Sequence, residues 1–230
     1  MNIIWLGHGS FRIEIEDQVL LIDPWLTGNP VLPEVAHEAA TTGATHLILT
    51  HTHFDHVADM LTLARRLGVP VVGQYDLMAH WAEHEGIETI GFNKGGTVQL
   101  GDVALSMVPA SHSSTFSTPE GLRSGGSEVG FMVKGEGHVI YVSGDTDIMA
   151  DMEWMGEYYR PDIGILSAGG HFTMDMKAAA YAANKYFDFD VVIPCHYKTF
   201  PILEQSAVAL ANGLTGVKVI EPEVMQAISI

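Results

Sequence analysis

Apolar and polar positions alternate near the start of the chain and predict three short strands, at 2–6, 11–15 and 19–22, with Asp17-Gln18 turning between the last two. The stretch 27–33 contains Gly28, Pro30 and Pro33 and reads as a loop. A strand at 46–49 follows. Apolar residues then recur at helical spacing over 57–67, where Gly68-Val69-Pro70 stops them. Beyond lie a strand at 71–72, a helix at 75–84, and strands at 97–100 and 103–108, punctuated by Gly95-Gly96 and Gly101-Asp102.

The second half predicts strands at 129–134, 138–142, 163–166 and 191–193, and helices at 148–159, 176–187 and 203–212. Two short strand-like runs close the chain within 217–230. Between these elements, 113–127 is rich in Ser, Thr and Gly and reads as a loop, either a mobile lid or an exposed connection. Antiparallel hairpins mixed with strand–helix alternation weigh against a simple doubly wound sheet. Periodicity alone does not choose among the α/β sandwiches.

Chemistry concentrates in His51-Thr52-His53-Phe54-Asp55-His56, between the apolar run Leu47-Ile48-Leu49 and the predicted helix. His51 and His53 are two apart, so on an extended segment their imidazoles point to one side. Asp55 and His56 fall where the chain turns into the helix. One short segment can thus serve two adjacent metal ions, and neutral imidazole with carboxylate suits zinc, manganese or iron(II). Three further candidates sit just beyond strand-like runs: His112 in Pro109-Ala110-Ser111-His112-Ser113, Asp145 in Ser143-Gly144-Asp145-Thr146, and His196 in Pro194-Cys195-His196-Tyr197. Loops at strand ends commonly carry sites on a rigid scaffold.

Four more residues have weaker context. Asp23 ends a strand before Pro24 and can orient a ligating imidazole, or be a turn carboxylate. His8, between Gly7 and Gly9, can touch substrate or a bridging water, or be a turn histidine. His171 follows Gly169-Gly170 and can protonate a leaving group. Lys198, two residues after His196, can bind a substrate anion, or be a solvated lysine.

The ordered histidines and aspartates resemble the metallo-β-lactamase superfamily over nearly the whole chain. Trp5-Leu6-Gly7-His8-Gly9-Ser10-Phe11, Leu21-Ile22-Asp23-Pro24-Trp25, Gly169-Gly170-His171-Phe172-Thr173-Met174-Asp175 and His196-Tyr197-Lys198-Thr199-Phe200-Pro201 narrow the likeness. Together they resemble a prokaryotic branch of metal-dependent hydrolases. That branch is similar to ascorbate-6-phosphate lactonase and, more distantly, to the phospholipase D acting on N-acyl-phosphatidylethanolamine. The resemblance implies a four-layer αββα sandwich, an α/β fold. It implies two divalent metal ions, with zinc, manganese, iron and nickel as candidates. His51, His53 and His112 would hold the first, Asp55, His56 and His196 the second, and Asp145 would bridge them. A metal-bound hydroxide would then attack a small ester-like substrate, a lactone or a phosphodiester. A ligand set without cysteine leaves open positions, which suits catalysis better than a closed structural site.

Composition bounds this reading. At 230 residues the chain is expected to form one domain, 1–230, with a sizeable core. Eleven Lys and Arg stand against 28 Asp and Glu, for a formal net charge of −17. Such a surface repels nucleic acid and anionic membranes, so the expected partner is a small-molecule substrate. Neither nucleic-acid binding nor membrane insertion is expected, because every apolar run falls short of the roughly 18 residues a span needs. The start, Met1-Asn2-Ile3-Ile4-Trp5, shows neither a basic region nor a cleavage site, so no signal peptide is expected. Cys195 is the only cysteine, which fits a cytoplasmic location. A homo-oligomer is compatible with all of this. Alternative functions are an RNA- or DNA-processing nuclease, which the acidic balance disfavours, a non-haem iron oxygenase acting on a sulfur substrate, and a binding protein without turnover.

Overall fold

A computed structural model describes residues 1–230. Its first sheet arises because apolar side chains in the early strands alternate between two faces. In β1 (Asn2–Gly7) and β3 (Gln18–Ile22), Ile3, Trp5, Leu20 and Ile22 join one buried cluster, and Leu6 and Leu21 join another. β4 (His46–Ile48) and β5 (Val71–Gln74) divide in the same way, with Ile48 and Val72 on one face and Leu47 and Val71 on the other. Strands covered on both faces read as continuous apolar runs. In β2 (Ser10–Ile15) only Phe11, Ile13 and Ile15 enter the core; Arg12 and Glu14 lie between them, joined at 2.8 Å. The outer face of this sheet is covered by α1 (His37–Thr41), α2 (Phe54–Val57), α3 (Met60–Leu67) and α4 (Tyr75–His84). Ala40, Met60, Leu63, Met78 and Trp81 are buried in that layer.

The chain continues through β6 (Thr89–Phe92), β7 (Thr97–Leu100), β8 (Val103–Pro109), β9 (Thr115–Thr118), β10 (Gly121–Ser124), β11 (Val129–Gly135) and β12 (His138–Val142). It then alternates α5 (Met152–Tyr159), β13 (Ile163–Ser167), α6 (Met176–Tyr186), β14 (Val191–Cys195), α7 (Val208–Gly213) and β15 (Lys218–Val219), and closes with β16 (Ala227–Ser229). One sheet runs β16-β1-β2-β3-β4-β5-β6 and the other β15-β14-β13-β12-β11-β8-β7. Their inner faces share the larger core, where Phe11 and Ile13 from one meet Phe131 and Ile140 from the other. Met155, Ala183 and Leu210 from the later helices belong to the same cluster. The layers are therefore helix, sheet, sheet, helix, the αββα sandwich expected from the sequence. No helix is long and apolar enough to cross a membrane.

Parallel pairing sets the site. β3, β4 and β5 run parallel, as do β12, β13 and β14, so in each sheet the carboxyl ends gather at one edge. The segments after β3, β4, β8, β12 and β14 carry Asp23, His51 to His56, His112, Asp145 and His196.

Several predicted elements are corrected. The helix expected over 57–67 is two helices, α2 and α3, broken at Asp59, whose carboxylate clamps the preceding loop. It accepts from Leu26 N at 2.7 Å, Thr27 N at 2.9 Å and Thr27 Oγ1 at 2.8 Å. Residues 113–127 are not a plain loop; they carry the hairpin β9–β10, turned at Pro119-Glu120 and closed by Thr118 Oγ1 donating to Gly121 O at 2.9 Å. The helix expected from 148 begins at Met152, and that from 203 begins at Val208. β6 has no counterpart in the sequence reading, because an edge strand buried only in part gives a weak pattern.

Asp59→Ala removes three hydrogen bonds and strips two backbone N–H groups of their partner. Urea unfolding should show a loss of about 2–4 kcal/mol. A change below about 0.5 kcal/mol would mean that the clamp adds nothing beyond ordinary surface polarity.

Candidate metal centre

β4 ends at Ile48, and the chain is still extended at His53 before turning into α2 (His53 φ −64°, ψ 152°). His51 and His53 consequently reach the same cluster: His51 Nε2 lies 3.0 Å from His53 Nδ1. His112 Nε2 reaches the same Nδ1 at 3.2 Å. Asp145 completes this group, and its donor atoms all fall within 4.8 Å of one another. A second group, equally compact, contains His8, Asp55, His56 and His196. One atom touches both. Asp145 Oδ2 lies 3.8 Å from His51 Nε2, 3.7 Å from His112 Nε2, 3.4 Å from His56 Nε2 and 3.0 Å from His196 Nε2.

Buried hydrogen bonds aim these rings. Asp23 Oδ2 accepts from His56 Nδ1 at 2.7 Å, leaving Nε2 to face the cluster. Thr50 donates its backbone N–H to Asp23 Oδ1 at 2.8 Å, and its hydroxyl joins Asp23 Oδ2 to His51 Nδ1. Carboxylates behind ligating imidazoles fix the ring and its tautomer. His53 is turned the other way, with Nε2 3.2 Å from Ser113 Oγ and Nδ1 toward the cluster. The carrying loops are tied together. His196 N donates to His8 O, Asp147 N to Ser111 O, each at 2.9 Å, and Ser111 N to Thr146 Oγ1 at 3.0 Å. Close packing needs glycine at two points. A Cβ on Gly9 would lie 2.7 Å from His56 Cε1, and one on Gly169 would lie 2.0 Å from His196 O.

The electrostatics follow from burial among opposite charges. Burial works to raise the carboxyl groups of Asp55 and Asp145, but the imidazoles around them hold both well below the usual range. Burial works to lower His56, but Asp145, Asp23 and Asp55 hold it well above its ordinary value. His196 is pushed up to about 9 by Asp145 and Asp55 against the same desolvation. Burial also dominates at His51, which falls well below its ordinary value, and at His8, lowered to about 4. The carboxylates thus set a field that favours positive charge at the centre.

The donor set fits divalent metal ions. Eight imidazole and carboxylate side chains converge without a thiolate, the chemistry of zinc, manganese and iron sites. His56 Nε2 is buried and has no hydrogen-bond partner, an uncommon state for a core polar atom and one that coordination relieves. The Nε2 atoms of His51 and His112, at 3.0 and 3.2 Å from His53 Nδ1, likewise need a cation or proton between them.

The remaining residues singled out from sequence divide. Asp23 lies where an orienting group belongs, 1% exposed against His56. His8 is not among the residues that line the cavity over the cluster. It is fully buried, its Nε2 donates to Asp55 Oδ2 at 2.7 Å, and its Nδ1 lies 2.9 Å from Thr199 Oγ1. It stands behind Asp55, against the carboxylate. His171 is exposed and packs edge-on against Phe172, 4.6 Å between ring centroids; Phe172, not His171, lines the cavity over the cluster. Lys198 pairs with Glu221, lies over the Tyr197 ring and is not among the residues lining the cavity. Sequence reading missed Thr50 and Thr199, which engage His51 and His8. Their adjacency to the site motifs was the only signal.

The cavity above the cluster holds about 860 Å³ and reaches from Asp145, His112 and His196 past α2 and α3 to α4 and the β9–β10 hairpin.

Comparison with known proteins agrees with this geometry. The family described as Beta-lactamase superfamily domain matches residues 18–222. A relative from Ruegeria pomeroyi, named a metal-dependent hydrolase, is 74% identical over 100% of both chains. One of the same name from Paracoccus denitrificans is 65% identical over 99% of each. Among solved structures, Igni18, a metallo hydrolase from the archaeon Ignicoccus hospitalis, superposes with a TM-score of 0.84 at 29% identity, covering 99% of this chain and 97% of the other.

Gly9→Ala should push the His56 ring off its position while leaving every ligand in the sequence. We expect metal affinity to fall about 10–100-fold, the usual cost of disturbing an orienting shell. Competition against a chromogenic chelator checks this; parental affinity would mean that the ring has room the close approach denies.

Proposed function

The chain belongs to the β-lactamase superfamily and is a metal-dependent hydrolase, and on that premise we propose that it uses two divalent ions on a small-molecule, ester-like substrate, a lactone or a phosphodiester. The observation that carries the reading is Asp145 Oδ2, within 3.0–3.8 Å of four imidazole Nε2 atoms drawn from both donor groups. His51 Nε2, His53 Nδ1 and His112 Nε2 would hold one ion, Asp55, His56 and His196 the other, and Asp145 would be shared. Bound there, such ions supply Lewis acidity and lower the pKa of water toward neutrality.

The protein's own share is position and exclusion. Asp23 and Thr50 hold His56 and His51 in one orientation. A neutral His8 donates to Asp55 Oδ2, the oxygen that lies 3.5 Å from His196 Nε2, and so fixes the carboxylate against the centre. Only 3% and 8% exposed, Asp145 and Asp55 act in a low-dielectric setting, where their charge is felt more strongly than in water. His53 and Phe54, on the cavity wall, border the space open to a substrate.

Elemental analysis should find about two divalent ions per chain, the stoichiometry of a two-metal site. Asp145→Ala should lower that occupancy and remove most hydrolysis of bis(p-nitrophenyl) phosphate or a γ-lactone. A chelator should abolish turnover, and manganese or zinc should restore it. Full occupancy in Asp145→Ala would contradict the shared ligand. Oxygen uptake with a thiol substrate, without hydrolysis, would contradict the reaction class.

A further inference from the structure

Resting on the hydrolase reading above, we propose that the far half of the cavity is a subsite for a hydrocarbon chain, so that the preferred substrate is a neutral ester or lactone bearing an alkyl or acyl tail. Four observations carry it. The first is the wall away from the metal cluster. Val57, Leu61, Leu77 and Trp81 line it, and each rests its other side on the helix-layer core. They form a fixed apolar floor running from the cluster toward α4.

The second is the opposite wall. In the β9–β10 hairpin, Leu122 pairs with Ser117, so its side chain shares a face with Thr115 and Ser117, and all three line the cavity. Leu122 is 65% exposed, although it borders an apolar space. Phe54 and Phe172, at 63% and 54% exposed, stand in the same situation. Apolar side chains on three separate elements thus face one another across solvent, and a hydrocarbon chain laid between them would cover all three.

The third is charge. No lysine or arginine lines the cavity. Its one carboxylate apart from Asp55 and Asp145, Glu85, is paired with Arg65 at 2.6 Å. A remote phosphate or carboxylate on the tail would find no lysine or arginine to pair with, only the His80 ring and the hairpin hydroxyls, in a chain of net charge −17. The fourth is the hairpin itself. It forms a two-stranded sheet of its own, with all of β10 exposed. Hairpins of that kind are marginal alone, and contact with a bound chain adds the apolar support it lacks.

The test separates binding from turnover. Binding of n-alkanols from butanol to decanol to the metal-free protein is measured by calorimetry, and kcat/KM of the zinc- or manganese-loaded enzyme is measured on p-nitrophenyl alkanoates of the same lengths. Both should improve about twofold to fourfold per methylene until the arm is filled. Leu122→Glu, at an exposed position that folding tolerates, should at least halve the gain per methylene in both series, and Leu122→Met should keep it. An ω-carboxylate on the longest tail should cancel its advantage over the shortest. Turnover with no dependence on chain length would overturn the subsite and leave the hydrolase reading standing. Chain-length-dependent binding without turnover of any ester, lactone or phosphodiester would overturn the hydrolase reading, and with it the substrate role of the arm. Parental slopes in Leu122→Glu would remove the hairpin from the account.

Discussion

A carboxylate taken out of water keeps its charge only when positive charge or strong donors surround it. Asp145, 3% exposed at the end of β12, is the group on which the rest of the centre turns. Its Oδ2 is met by imidazoles delivered from α2 and the segments after β4, β8 and β14. Asp23 and Asp55 add two more buried carboxylates within reach of the same rings. Deleting one partner of such a set leaves uncompensated charge behind, which costs more than the contact itself. The cluster is therefore demanding to build and, once built, sets a field that favours positive charge over neutral occupants.

The fold meets that demand by fixing backbone as well as side chains. His8, Asp23 and His196 all adopt positive φ, at 55°, 43° and 59°. Non-glycine residues in that region carry strain that persists only where the surroundings over-determine it. Here they do. Asp23 N donates to Ile48 O, His196 N to His8 O, and Ala168 N to Cys195 O, so each strained residue or its neighbour is held by an adjacent strand or turn. The large core shared by both sheets lies directly beneath. Local strain at the site is thus balanced by apolar burial elsewhere, a common distribution at functional centres.

Much of this was legible in the sequence, for identifiable reasons. Strands covered on both faces, such as Leu20-Leu21-Ile22, announce themselves as apolar runs, and the polar residues just after them mark the site edge. His51 and His53 share a side because the chain is still extended there. Other features depend on tertiary contacts that no local pattern encodes. The break at Asp59 comes from a loop 32 residues earlier in the chain seeking its carboxylate. His8 looks like a turn residue until the fold sets Asp55 and Thr199 against its two nitrogens. Lys198 looks free until Glu221 arrives. The apolar cavity was invisible because its walls come from α2, α3, α4, the β9–β10 hairpin and the segment around Phe172, each ordinary by itself.

The most direct test of the shared carboxylate is anomalous diffraction from crystals of the metal-loaded protein, collected on either side of the metal absorption edge. The account predicts two anomalous peaks per chain, one beside His51, His53 and His112 and one beside Asp55, His56 and His196, with Asp145 Oδ2 between them. A single peak, or two peaks with the Asp145 side chain turned away from both, would contradict it.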